Sequence, residues 1–151
     1  VELNVVDGVI LPNLKMQGTR EACAYLDVEG RCSIHPYRPG ICRLFPLGRH
    51  YENGGLFYFL QTGECVKENR SKVKVSKWID TPELKRNEQF KLQWHDLLSA
   101  MTDRVAGEDE GKQREENLLL LRLFYLLPYE GTTDFYSQFT ERMEHWNEQI
   151  G

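Results

Sequence analysis

Four cysteines, Cys23, Cys32, Cys42 and Cys65, are spread over the first half of a chain of 151 residues, and no two of them form a Cys-x-x-Cys knuckle. Eight residues separate the first two, nine the next two, and twenty-two the last two. Any site they share must therefore be assembled by turns, and the same stretch is where the glycines and prolines crowd together. Asn53-Gly54 is the strongest short hairpin signal in the chain, flanked by Leu47 and Tyr51 on one side and by the apolar residues 56–60 on the other. Cys42 stands eleven residues before Asn53, and Cys65 eleven residues after Gly54. In a regular two-residue hairpin they would face each other with Cα atoms about 4.5–5.5 Å apart. Pro46 and the extra Gly55 are expected to disturb that register, so the spacing predicts proximity rather than strict pairing. Residues 27–30 offer a second turn, almost midway between Cys23 and Cys32. Two local folds would then each bring two sulfurs together.

Beyond the cysteines the pattern changes. Up to about residue 69 the apolar stretches are of strand length, such as 4–12 and 56–61. From Trp78 the period becomes helical. Thr81-Pro82 reads as an N-cap and first helical position, and Phe90, Trp94, Leu97 and Met101 recur on one face of a helix of about 20 residues. A polar break at 107–111 precedes a leucine-rich helix over about 113–127, closed by Pro128. In that break Glu108, Asp109 and Glu110 read as a solvated linker. A last amphipathic segment over about 133–149 places Phe135, Phe139, Met143 and Trp146 on one stripe. The expected fold is α+β, with an irregular metal-centred region at 1–77 carrying short hairpins, followed by about three helices at 78–151 that pack on it.

Four thiolates in one place need a cation to remain deprotonated and unbridged. A zinc ion with four thiolates carries a net charge of about minus two, as does an oxidised four-iron cluster with its ligands. Such a centre favours positive neighbours, and Arg31, Arg38 and Arg43 each lie within a few residues of a cysteine. Gly40, in the run from Arg38 to Arg43, allows backbone amides to approach a sulfur. His35 is the only histidine near the cysteines in sequence and is a candidate substitute ligand.

The runs Cys23-Ala24-Tyr25-Leu26-Asp27, Gly30-Arg31-Cys32-Ser33-Ile34-His35 and Arg38-Pro39-Gly40-Ile41-Cys42-Arg43-Leu44-Phe45-Pro46 resemble the YkgJ-type cysteine-cluster family. That family is described as zinc- or iron-chelating, and the resemblance covers about residues 21–65. It implies a metal centre at Cys23, Cys32, Cys42 and Cys65. Zinc and iron are nearly even as its occupant, spacing does not decide between them, and an iron–sulfur cluster is slightly preferred. Members of the family carry a further motif upstream with adjacent cysteines, which this sequence lacks. One branch resembles flagellin lysine-N-methylases, so the resemblance leaves open a cluster-dependent enzyme such as a protein lysine methylase. It places no residue of a methyl-donor site here.

Two alternatives accompany the metal reading: a disulfide-stabilised interaction protein, for which four cysteines allow three pairings, and buried free thiols. The absence of a visible secretion signal and a length ample for an apolar core weigh against the disulfide staple, and point to a cytoplasmic protein. A net charge of -4 with interspersed signs gives no reason to expect a nucleic-acid partner. The longest apolar run, 118–121 and 123–127, is interrupted by Arg122 and falls far short of a membrane span. Its leucine density suggests either the centre of a three-helix packing or a surface for a protein partner. No phosphate-binding glycine loop, no Ser-His-Asp arrangement and no His-Glu-x-x-His helix is present.

Overall fold

The computed structural model describes residues 1–19, 21–64 and 71–150, and the fold is α+β. The described chain forms two compact units, one of Val1–Ala24 with Gln93–Gly151 and one of Tyr25–Leu92.

In the first unit, β1 (Glu2–Val6) and β2 (Val9–Asn13) make an antiparallel hairpin with Val6 opposite Val9. The stretch expected as one strand at 4–12 is thus two strands. Asp7 and Gly8 both take positive φ, 50° and 82°, which is the conformation a two-residue type I′ turn requires. A side chain at Gly8 would bring its Cβ to 2.9 Å from Cγ2 of the buried Val105, so space as well as φ selects glycine there. The outer edge of β2 is satisfied by Asn117, which is 3 % exposed. Its Oδ1 accepts from Ile10 N at 2.6 Å, and its Nδ2 donates to the carbonyl of Gly8 at 3.0 Å. A second short pair, β3 (Met16–Gln17) and β4 (Ala22–Cys23), sets Met16 opposite Cys23.

The helices of this unit bury the expected stripes. From Gln93 onward α3 (Leu84–Val105) contributes Leu97, Met101 and Val105 to the core. Asp109 caps α4 (Glu110–Leu121), its carboxylate accepting from Gly111 N and Lys112 N, so it is a cap and not part of a solvated linker. The helix then widens into a π-helical turn, Arg122–Leu126, instead of continuing as α-helix to 127. Leu127 precedes Pro128 and is held extended, with ψ 121°, because the proline ring excludes the helical region for its neighbour. Phe139 and Trp146 of α5 (Phe135–Ile150) are buried, and their rings meet Phe124 at centroid distances of 5.8 and 6.2 Å. Of the leucine-rich segment, Leu120, Leu121, Leu123 and Phe124 are core while Leu118 and Leu126 face outward.

The carbonyls released where α4 ends are collected by one side chain. Arg142 donates to Leu123 O, Leu127 O and Pro128 O at 2.7, 2.9 and 2.8 Å, and its guanidinium lies 3.5 Å from the centre of the Tyr129 ring. Arg142→Met is expected to lower the unfolding free energy by about 2 kcal/mol, since orphaned carbonyls and a cation–π contact are lost together. Arg142→Lys should recover only part, because a point-like ammonium cannot span the carbonyls a planar fork reaches. Urea midpoints at unchanged slope measure both variants, and an Arg142→Met midpoint equal to wild type would contradict the assignment.

In the second unit, β5 (Leu47–Glu52) and β6 (Gly55–Leu60) form the hairpin announced by Asn53-Gly54. Asn53 and Gly54 have φ of 50° and 70°. Gly55 does not disturb the ladder: it pairs with Glu52, and the register runs unbroken to Leu47 opposite Leu60. Gln61 N donates to Pro46 O at 3.0 Å, after which the first arm turns away. Leu44 of α1 (Gly40–Leu44) and Ile79 of α2 (Val75–Ile79) make the buried centre of this unit. The helix expected to start at Thr81-Pro82 starts at Leu84. Glu83 has a φ of 49°, outside helical geometry, and the Thr81 hydroxyl donates to Ile79 O at 3.5 Å instead of capping α3. Among the described residues no helix is long and apolar enough to cross a membrane.

Candidate metal centre

Each described cysteine stands in a short, hydrogen-bonded setting. Cys23 closes β4 and is half-buried. The turn at 27–30 is present: Gly30 N donates to Asp27 O at 3.0 Å, and the Asp27 carboxylate accepts from Glu29 N at 2.9 Å and Arg31 N at 2.8 Å. An aspartate that bonds the amides following it stabilises such a turn locally. The turn pairs Leu26 with Cys32, while the strand partner of Cys23 is Met16, so strand pairing does not set Cys23 opposite Cys32. Tyr25 O, next along that short bridge, accepts from both N and Oγ of Ser33. Cys32, half-buried, leads into a 3-10 turn, His35–Tyr37, through His35 N donating to Cys32 O at 3.3 Å.

Cys42 lies in α1, where its amide donates to Pro39 O at 2.9 Å, and it is exposed. It therefore does not extend the β5–β6 ladder as the hairpin count expects. Pro46 lacks an amide proton, so it cannot donate to a continued ladder, and the preceding residues coil into helix. Cys65, the fourth expected ligand, lies outside the described residues. Cys23, Cys32 and Cys42 are free thiols. Among the described residues no group of three or more Cys, His, Asp or Glu side chains is arranged to hold a metal ion.

The basic residues near the cysteines have partners of their own. Arg43 donates to Pro36 O at 2.8 Å, to Asp80 O at 3.1 Å and to Arg38 O at 3.4 Å, so it fastens the loop before α1 and the end of α2 to the helix that carries Cys42. Arg38 donates from Nη1 to Nε2 of His35 at 2.8 Å. Because guanidinium has no lone pair to offer, that ring nitrogen must accept, so in the neutral imidazole Nδ1 carries the proton and the ring's ligating lone pair is the one directed at Arg38. Arg31 pairs with Glu29 at 3.2 Å on an exposed surface, where such a pair contributes little.

A cluster with no sequence signal lies on the same unit. Tyr58 donates to Glu88 Oε1 at 3.2 Å, and burial together with the Glu88 charge pushes its phenol up to about 12. Burial, with Arg49 nearby, pushes the Lys91 ammonium down. Only the folding of α3 alongside β5 and β6 brings these groups together, which no local spacing announces. Compared with family models, with curated proteins and with solved structures, the chain finds no match.

Proposed function

We propose that this protein is a metal-binding module in which Cys23, Cys32, Cys42 and Cys65 hold an iron–sulfur cluster or a zinc ion. The observation that carries the reading is the in-register β5–β6 hairpin. Its arms leave the ladder together at Pro46 and Gln61, four residues after Cys42 and four before Cys65. Free thiols at the three described cysteines supply the soft donors that both centres require. Arg43 and the Asp27 turn hold the chain segments around Cys42 and Cys32, and His35 would serve as a substitute ligand through Nε2 only by exchanging its contact with Arg38 for the metal. When bound, zinc supplies a structural tie, whereas an iron–sulfur cluster supplies one-electron chemistry. Thiolate ligation of this kind fits a reducing, cytoplasmic setting, and the outward Leu118 and Leu126 fit a protein partner on the helical side.

Metal analysis and visible absorption of chain prepared without oxygen test the proposal. Wild type is expected to carry iron with acid-labile sulfide and a visible absorption band, or else zinc with none. Cys42→Ser should lose the metal, while His145→Ala, on the exposed side of α5, should retain it. Equal metal content in wild type and Cys42→Ser removes the proposal. A perturbation of the absorption by S-adenosylmethionine would move the reading to a cluster-dependent enzyme.

A further inference from the structure

The stretch 71–79 carries Lys72, Lys74 and Lys77 and no acidic residue, in a chain whose net charge is -4. It leads into α2 and includes it, yet only Ile79 turns inward, and residues 71–78 are all exposed. Trp78 is 44 % exposed although its indole N–H is already satisfied, donating to Phe45 O at 3.1 Å. That bond sets the ring beside the end of α1, where Phe45 and, one turn earlier, Ile41 are 50 and 61 % exposed. Leu44 and Ile79 are the side chains that α1 and α2 bury, so Ile41, Phe45 and Trp78 are left as an apolar outer surface of the pair.

The cations adjoin this surface. Lys74 stands one turn before Trp78, whose amide donates to the Lys74 carbonyl at 2.9 Å, and Lys77 is its neighbour in the chain. Among the described residues none of the three lysines is in an ion pair. Exposed apolar side chains rimmed by unpaired positive charge fit a partner that is greasy beneath and negative at its face. Lysine is depleted at protein–protein interfaces, whereas at a bilayer its long stem lies along apolar groups while the ammonium stays with the phosphates. Tryptophan is likewise enriched at the level of the lipid headgroups. We propose that this face docks on an anionic phospholipid surface, with Ile41, Phe45 and Trp78 entering the headgroup layer and Lys72, Lys74 and Lys77 held against its phosphates. Binding then sums a small apolar insertion and an electrostatic attraction, and neither suffices alone.

Sedimentation of the full chain with vesicles tests this. Vesicles of phosphatidylcholine mixed with phosphatidylserine are expected to carry the protein down, those of phosphatidylcholine alone to leave it in solution, and added salt to weaken the binding. Lys72→Gln, Lys74→Gln and Lys77→Gln combined should lower the affinity on the order of 100-fold. The same change of net charge made at Lys15, Lys112 and Arg114, exposed residues of the other unit, should leave it near wild type. Ile41→Ser, at an exposed site, should lower it about tenfold with an unchanged circular dichroism spectrum. Lipids brominated in the acyl chain should quench tryptophan emission, and Trp78→Phe should remove most of that quenching. Equal binding to both kinds of vesicle, or to neither, overturns the proposal, as do equal losses in the two triple variants. Sedimentation without quenching, or with Ile41→Ser unaffected, overturns the insertion. Capture by polyglutamate with no binding to vesicles assigns the face to an acidic protein instead.

Discussion

Asn117→Asp is expected to lose about 3 kcal/mol of unfolding free energy at pH 7 and to regain part of it in acid. The wild-type amide serves the β1–β2 hairpin in both senses, accepting from Ile10 N and donating to Gly8 O, and it also donates to Gln113 O at 2.8 Å. An aspartate keeps the acceptor but turns the donor into an ionised oxygen that faces two carbonyls at a site only 3 % exposed. Each buried polar group left without its partner costs about 1–3 kcal/mol, and the new charge adds its own desolvation. The introduced carboxyl is raised in the folded state, because burial and the facing carbonyls both disfavour its charge. The part of the deficit that comes from ionisation is therefore absent below the unfolded value of about 3.9 and grows as pH rises through the folded value, while the second donor lost with the amide stays lost at every pH. Asn117→Ala should cost a similar amount at neutral pH with no such pH dependence. Urea unfolding at pH 4 and 7 separates the two variants, with Ile10 amide exchange reporting the lost bond. A neutral-pH loss below about 0.5 kcal/mol for Asn117→Asp would show that β2 does not depend on this side chain.

That dependence explains which parts of the fold were legible beforehand. Asn53-Gly54 announced β5–β6 because a two-residue I′ turn needs left-handed φ at both positions, and few dipeptides tolerate it. Asp7-Gly8 carries the same signal, yet the runs Val5-Val6 and Val9-Ile10 around it read as one continuous apolar strand. Periodicity found α3, α4 and α5, since their buried faces repeat at helical spacing. It could not find the π-helical turn at 122–126, where the leucine pattern continues while the backbone changes, and only Pro128 marked an end. α2 was missed for a different reason: five residues are too few to establish a period.

The candidate site divides in the same way. The turn at 27–30 was readable from Asp27 and Gly30, whose side-chain acceptor and positive φ act within the turn itself. The pairing of Cys32 with Leu26 and of Cys23 with Met16 was not, because a count between cysteines assumes that the chain keeps pairing past the turn. The count from Asn53 did give the register of the ladder, but not the helix into which Cys42 folds before Pro46. Arg43 looked like a counter-charge for thiolates, and its role as a clamp on Pro36, Arg38 and Asp80 became visible only with the path of the backbone. Local chemistry was thus legible wherever one residue satisfies a neighbour, and obscure wherever the partner lies far along the chain, as Gly8 does from Asn117.

Phe139→Ala should have the largest effect of any single truncation in the helical core, a loss of about 3–5 kcal/mol. Its ring is 2 % exposed and stands at the centre of an aromatic group, 5.8 Å from Phe124, 6.4 Å from Trp94 and 6.4 Å from Phe135 between centroids. Truncation removes the ring's transfer free energy and leaves a cavity bounded by stiff, planar neighbours that cannot collapse into it. Trp94 also packs edge-on against Phe124 at 5.1 Å, so the surviving rings hold each other away from the space. Phe135, one helical turn earlier on the same stripe but 38 % exposed, provides the internal comparison. Phe135→Ala should cost about 1 kcal/mol, because much of that ring is never withdrawn from water. Urea unfolding followed in parallel by far-ultraviolet and near-ultraviolet circular dichroism reads both the loss and its origin. The Phe139 variant should lose near-ultraviolet intensity from Trp94 while keeping its helical signal. Equal losses for the two alanine variants would mean that the stripe on α5 is bound uniformly along its length, and that Phe139 is not the point at which α5 is held to the α4 segment.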